Sequence, residues 1–159
     1  MIKFLEGNKI TLLQNGADYF PALETAIDRA ARWVYIETYI FANDSTGQRI
    51  AAALLRAAQR GVAVHLLIDG YGAKAYPTIS LQALIGAGAD VLIYRPGISP
   101  YRFQRQRLRR LHRKLAVSDR GRLILRVVDE FLSLTAAPDS ILPSICAKRS
   151  AGRCPLHTA

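Results

Sequence analysis

The chain has few acids, few cysteines and no long apolar run, and each shortage excludes something. Its 159 residues carry 12 Asp and Glu against 22 Lys and Arg, a net charge of +10. Such a balance suits phosphate-rich partners, either anionic lipid headgroups or nucleic acid. The two cysteines, Cys146 and Cys154, stand late in the chain beside His157. One pair gives no disulfide framework, and three such groups lack the fourth ligand of a structural zinc site. No apolar stretch approaches the roughly 18–20 residues that span a bilayer. The opening Met-Ile-Lys-Phe-Leu-Glu-Gly-Asn lacks a signal peptide's apolar core. The chain is therefore expected to be cytoplasmic or peripheral to a membrane. There is no internal repeat and no low-complexity segment. Half of the residues are apolar, which fits one globular domain with an adequate core.

The hydrophobic pattern alternates between strand and helix. Ile10 to Gln14 reads as a short strand closed by Asn15-Gly16, a turn signal. Asp18 to Arg32 is helical in period, with Tyr19, Leu23, Ala26, Ile27 and Ala30 on one face. Pro21 falls in its first turn, where it is tolerated. Trp33 to Phe41 is β-rich and apolar on both faces, as a central strand is. Its exception is Glu37, a carboxylate that must sit either in a site or in a structural ion pair. Asn43-Asp44-Ser45-Thr46 caps a helix running to about Arg60, with Ile50, Leu54, Ala57 and Ala58 inward and Gly61 ending it.

Val62 to Ile68 is a second buried strand, in which His65 reads as a packed, structural histidine. It finishes at Asp69-Gly70-Tyr71-Gly72, and the carboxyl ends of strands are where open α/β sheets hold ligands. Thr78 to Ala87 is a third helix, with Leu81, Leu84 and Ile85 inward. Val91 to Tyr94 is a further strand, broken by Arg95-Pro96-Gly97. This βαβαβαβ order predicts an α/β domain with a largely parallel sheet.

A basic stretch follows. Between Tyr101 and Lys114 there are seven basic residues (Arg102, Arg105, Arg107, Arg109, Arg110, Arg113, Lys114) and no acid. It ends in Leu111-His112-Arg113-Lys114-Leu115-Ala116-Val117-Ser118-Asp119, a His-x-Lys-x-x-x-x-Asp pattern on an apolar, strand-like run. A strand alternates its faces, so His112 and Lys114 point one way and Arg113 and Leu115 the other. Histidine serves as nucleophile or as acid and base near neutral pH, and lysine holds phosphate as a point charge. Asp119 is placed to orient a ring or to turn a loop. The plain alternative for the pair is a solvated strand face, and for the basic run a solvated loop.

These nine residues resemble the signature of the phospholipase D superfamily, and the residues before them resemble its cardiolipin synthase branch. Gly7-Asn8-Lys9-Ile10-Thr11-Leu12-Leu13 is similar to that branch's opening strand, and Ile36-Glu37-Thr38-Tyr39-Ile40-Phe41 to its second. Arg60-Gly61-Val62-Ala63-Val64, leading into Ile68-Asp69-Gly70-Tyr71-Gly72, resembles the next passage. Arg110-Leu111-His112-Arg113-Lys114 resembles the first catalytic motif.

The resemblance implies a phospholipase D-like α/β/α sandwich with a largely parallel mixed sheet, incomplete at its C-terminal end. It also implies two such motifs facing each other across a pseudo-twofold axis. One His attacks phosphorus to form a phosphohistidine, and the other protonates the leaving alkoxide and then activates the incoming hydroxyl. The lysines neutralise oxygens that gain charge in the transition state. No metal or cofactor is implied. The reaction is phosphatidyl transfer between phospholipids such as phosphatidylglycerol, on the cytoplasmic face of the membrane. By match, His112 is nucleophile or acid, Lys114 the phosphate clamp and Asp119 the supporting acid. Glu37, Asp69, Arg109, Arg110 and Arg113 are candidates for contact with substrate or phosphate.

The chain departs from the family after Asp119. A Phe-x-Gly-Gly-x-Asn stretch is expected there, but Arg120 to Phe131 holds no Gly-Gly, no Asn follows Asn43, and no second motif occurs. From Ser133 the composition changes, with Pro138, Pro143, Pro155 and both cysteines. The expectation is a first half-domain over residues 1–119 and an atypical, poorly ordered tail over 120–159, from a reading-frame shift or a truncation. Read from the third base of each codon, Ile124 to Val128 can encode Phe-Ala-Gly-Gly. The alternative is a domain end particular to this chain.

Three functions remain open on these residues: an impaired cardiolipin synthase-type half, a single-motif homodimeric phosphodiesterase or nuclease, and a non-catalytic phosphate-binding remnant.

Overall fold

A computed structural model describes residues 9–74, 76–95, 111–119, 122–127 and 130–135, the last two stretches as backbone only. The elements are β1 (Lys9–Leu13), α1 (Asn15–Arg29), β2 (Trp33–Thr38), α2 (Ser45–Gln59), β3 (Ala63–Asp69), α3 (Thr78–Gly86), β4 (Asp90–Tyr94), β5 (Leu115–Ser118), β6 (Arg122–Val127) and β7 (Glu130–Thr135). They build one mixed sheet of order β1-β7-β6-β5-β2-β3-β4.

The apolar faces explain the layering. Alternate residues of the central strands, Val34 and Ile36 on β2 and Val64, Leu66 and Ile68 on β3, are buried. They pack with Tyr19, Leu23, Ala26 and Ile27 of α1 and Ile50, Leu54, Ala57 and Ala58 of α2 in one core. The helical periods read from the sequence thus place the inner faces of α1 and α2 correctly. On α3, Leu81 and Leu84 are buried but Ile85 is exposed. α1 packs on α2, and α2 on α3. Among the described residues the helices form a single layer.

Parallel pairing joins β2 to β3 and β3 to β4, as helical crossovers require. The other four pairings are antiparallel, so the parallel part of the sheet is narrower than the βαβ pattern suggests. For β5–β6 and β6–β7 the reason is connection length, since the links are too short for a parallel crossover.

Two local expectations change. Asn15-Gly16 is not a free turn. Asn15 takes a positive φ of 51° and opens α1, its Oδ1 accepting a 2.7 Å hydrogen bond from the Ala17 amide. The strand expected to reach Phe41 stops at Thr38, whose Oγ1 donates to the Ile40 carbonyl at 2.9 Å and turns the chain aside.

Past Asp119, residues 122–127 and 130–135 continue the sheet as paired strands. Their sequences, Arg-Leu-Ile-Leu-Arg-Val and Glu-Phe-Leu-Ser-Leu-Thr, are rich in residues that suit a pleated surface. Residues 136–159, with Cys146, Cys154 and His157, lie outside the described residues.

Charged side chains clamp α1 to α2. Glu24 pairs with Arg49 and, at 3.3 Å, with Arg56, while Asp28 holds Arg56 at 2.9 Å. The hydrogen bond from Arg49 holds the Glu24 carboxyl below its ordinary range. Arg60 donates to the Ile27 and Asp28 carbonyls at 3.2 and 3.1 Å, satisfying the last turn of α1. Gly61, at φ +82°, then ends α2 in a conformation that favours glycine.

Candidate active site

The His-x-Lys segment lies at the carboxyl end of β2. β5 pairs with β2 from Glu37↔Leu115 to Val34↔Ser118. His112 and Lys114 therefore stand not on the strand, as expected, but in the extended segment just before it. Because β2 veers off after Thr38, residues 111–114 have no β2 partner to continue the ladder.

The expected alternation of side chains survives without the ladder. Lys114 Nζ sits 3.1 Å from His112 Nε2, 3.3 Å from Nδ1 and 3.4 Å from its carbonyl oxygen. Arg113 turns the other way, its Nη1 3.3 Å from Glu37 Oε2. Glu37 is only 7% exposed, so the ion pair anticipated as one of its two roles is present.

Tyr39 completes the cluster. Its ring centroid lies 5.6 Å from that of His112 and 6.0 Å from Lys114 Nζ, within cation–π range. Sequence reasoning missed it. The available signal was its position one residue past the central strand, at the strand end where open sheets gather functional groups.

Asp69 is placed differently from the expectation. It is 0% exposed, with Oδ1 accepting from the Tyr71 amide at 2.9 Å and Oδ2 from the Leu111 amide at 3.0 Å. Buried and aimed at backbone donors, this carboxylate fixes the residue next to His112 and does not line an open phosphate site. The loop it holds is pinned again at Gly72, whose carbonyl accepts from the Phe41 amide at 3.3 Å. A Cβ on Gly72 would come within 1.9 Å of the Tyr39 carbonyl oxygen. Beneath this loop Tyr76 packs on Phe41, ring centroids 4.6 Å apart, and burial pushes the Tyr76 hydroxyl above its ordinary value.

Asp119 lies at the far end of β5. Its carboxylate accepts from the Ala31 and Arg32 amides at 3.0 and 3.1 Å, and its own amide donates to the Trp33 carbonyl at 3.2 Å. It lies five residues on from Lys114, about 16 Å at strand spacing. Of its two possible roles, turning a loop is the one its contacts serve. His65, as anticipated, is a packed residue, stacked on Tyr35 at 4.2 Å with Nδ1 3.2 Å from Asp90. Arg109 and Arg110 lie outside the described residues, as does the basic run before them. Among the described residues no three His, Cys, Asp or Glu side chains converge to hold a metal ion.

A groove of about 220 Å³ opens beside the cluster, between α1, the start of α2 and the carboxyl end of β2. Its walls include Phe20, Ile36, Phe41, Ile50 and Leu115, and Lys114 lines its edge. A cation next to an imidazole, on the lip of an apolar groove, offers one compartment for phosphate and another for hydrocarbon. Among the described residues no helix is long and apolar enough to cross a membrane.

Comparison with known proteins gives this arrangement its relatives. The family model described as "Cardiolipin synthase, PLD-like domain" matches residues 23–126. Cardiolipin synthase B of Shigella flexneri is 41% identical over 114 residues, which cover 72% of this chain and 28% of the relative. The same protein of Escherichia coli K12 matches to the same extent. The chain thus spans little more than a quarter of the length of these curated relatives. The crystal structure of Nuc, a phospholipase D family member from Salmonella typhimurium, superposes with a TM-score of 0.57 at 17% identity, covering 83% of this chain and 86% of that one. At that identity the likeness speaks to the fold alone, which is the phospholipase D-like fold.

Proposed function

The chain belongs to the cardiolipin synthase, phospholipase D-like domain family, and we propose that it supplies one half of a phosphatidyltransferase site. In this reading a nitrogen of His112 attacks the phosphorus of a phospholipid such as phosphatidylglycerol. The N–P bond forms as the bond to the leaving alkoxide breaks. Lys114 neutralises the non-bridging oxygens as they gain charge. A second histidine, from another copy or another polypeptide segment, protonates the alkoxide. It then takes the proton from the hydroxyl of the accepting lipid, whose oxygen displaces His112. Within these 159 residues the motif occurs once, so the chain alone has a nucleophile without its acid and little turnover.

Glu37 holds Arg113 away from Lys114. Asp69 and Asp119 position the segment from either end, and the basic run that includes Arg109 and Arg110 supplies charge that suits an anionic substrate. The setting is the cytoplasmic face of a membrane, held peripherally. The composition change after Ser133 is read as out-of-frame or truncated sequence, which the coding DNA beyond Asp119 decides.

The observation that carries the reading is the double position of Lys114, 3.1 Å from His112 Nε2 and on the lip of an apolar groove. A nucleic-acid phosphodiester needs the first and has no use for the second. The test is to incubate the chain with phosphatidylglycerol radiolabelled at phosphorus, alone and mixed with a relative's half carrying the second motif. Acid-labile, base-stable label on His112 and formation of cardiolipin plus glycerol in the mixture are expected. Absence of label on His112 in both samples would refute the phosphohistidine.

The second reading is a homodimeric single-motif phosphodiesterase, favoured by the charge of +10, which suits nucleic acid. It requires a dimer in solution and cleavage of DNA that His112→Ala abolishes. A strict monomer excludes it.

A further inference from the structure

We propose that the loops leaving β2 and β3, with the first turn of α3, form a docking rim for an anionic bilayer, into whose interface Ile40, Tyr71 and Ile79 insert. The proposal rests on the phospholipid reading above only for the direction in which the site faces. These three side chains are 57%, 56% and 75% exposed. Single exposed apolar residues are ordinary, but all three stand at the end of the sheet where His112 lies. Ile40 and Tyr71 each follow the last residue of their strand by two, and Ile79 is the second residue of α3.

The rim is built on a fixed platform. The Phe41 amide donates to the Gly72 carbonyl, the Tyr71 amide donates to Asp69, and Tyr76 is packed on Phe41 beneath. A Cβ at Gly72 would lie 3.3 Å from the Ile40 Cα, so the first two loops touch. Anchors held this way lose little conformational freedom when they enter another phase.

Charge selects the occupant. Exposed Lys74 follows Tyr71 by three residues and Lys114 lies beside His112 at the same end, in a chain whose net charge is +10. Apolar tips interleaved with cations are what an anionic membrane interface receives: the tips enter the acyl boundary and the cations meet headgroups. Docked this way, His112 and Lys114 face the layer that contains the phosphodiester.

The experiment uses the full 159-residue chain with vesicles of phosphatidylcholine, with and without phosphatidylglycerol, at low salt and at about 0.5 M salt, where surface charge is screened. The parent binds the phosphatidylglycerol vesicles and keeps part of that binding in high salt. The triple variant Ile40→Ser, Tyr71→Ser, Ile79→Ser, checked for an unchanged circular dichroism spectrum, binds roughly tenfold more weakly or worse and loses the salt-resistant part. In a separate variant, Trp33→Phe with Tyr71→Trp, whose single tryptophan is at position 71, emission shifts to the blue on contact with these vesicles.

Equal binding by parent and triple variant overturns the proposal, as does an unshifted emission. A parent dimer that the triple variant converts to monomer, with lipid binding unaltered, also overturns it and assigns the rim to a second copy. His112→Ala docks like the parent, so a failure of the chemistry with docking intact counts against the phosphatidyltransferase alone. Failure of docking with label still on His112 counts against the rim alone.

Discussion

At one end of the nine-residue motif, His112 is exposed, and Lys114 leans over its ring on a segment without β2 pairing. At the other end, Asp119 is buried, with both carboxylate oxygens and its own amide bonded to the turn between α1 and β2. Only four residues of β5 lie between them. The contrast shows that a short signature combines groups selected for different reasons. The exposed end leaves the His112 ring open to solvent, while the buried end commits the Asp119 carboxylate to backbone amides.

The largest expected effect tests the exposed end. With a second-motif half present, His112→Ala lowers phosphatidylglycerol turnover by about 10³-fold or more, while the stability of the chain by urea unfolding stays within about 0.5 kcal/mol of the parent. A comparable loss of stability would show that the two ends share one structural duty. Asp119→Ala reverses the pattern. It strands two backbone donors, and the expected loss is about 3 kcal/mol by urea unfolding.

That division also marks what the sequence could reveal. The order of elements, the inner faces of α1 and α2 and the alternation of His112 and Lys114 against Arg113 follow from periodicity and were legible. The roles of Asp69 and Asp119 were not, because a carboxylate at a strand end looks the same on paper whether it meets a ligand or a distant amide. Leu111 is 42 residues from Asp69, and Ala31 is 88 from Asp119. Such pairings arise from topology, which no local pattern encodes. The antiparallel share of the sheet was hidden for a similar reason: which strands become neighbours, and in which direction, is set by topology.

An intermediate effect is expected at Asp69, which serves both fold and site. Asp69→Asn keeps the shape but leaves one acceptor for two amides, at a cost of about 2 kcal/mol. It also speeds hydrogen exchange at the Leu111 amide more than at Val117. Equal acceleration at both would mean that Asp69 supports the sheet in general and not the site's approach.

The smallest effect belongs to the helix clamp. The Glu24 carboxyl titrates below its ordinary value in the folded chain because of the Arg49 hydrogen bond. Its contribution is therefore complete above the unfolded carboxyl's range and is lost as pH falls through the lowered folded value. Glu24→Gln removes that part of the acid sensitivity, so parent and variant converge in urea midpoint at low pH. Divergence on acidification would contradict the assignment.

The paired bonds of Asp69 have one more consequence. A single carboxylate rivets the amide of Tyr71 to the amide of Leu111, so the chain after β3 and the chain before His112 are mechanically one part. A displacement of the Tyr71 loop is passed to the backbone before His112 through two hydrogen bonds to one carboxylate.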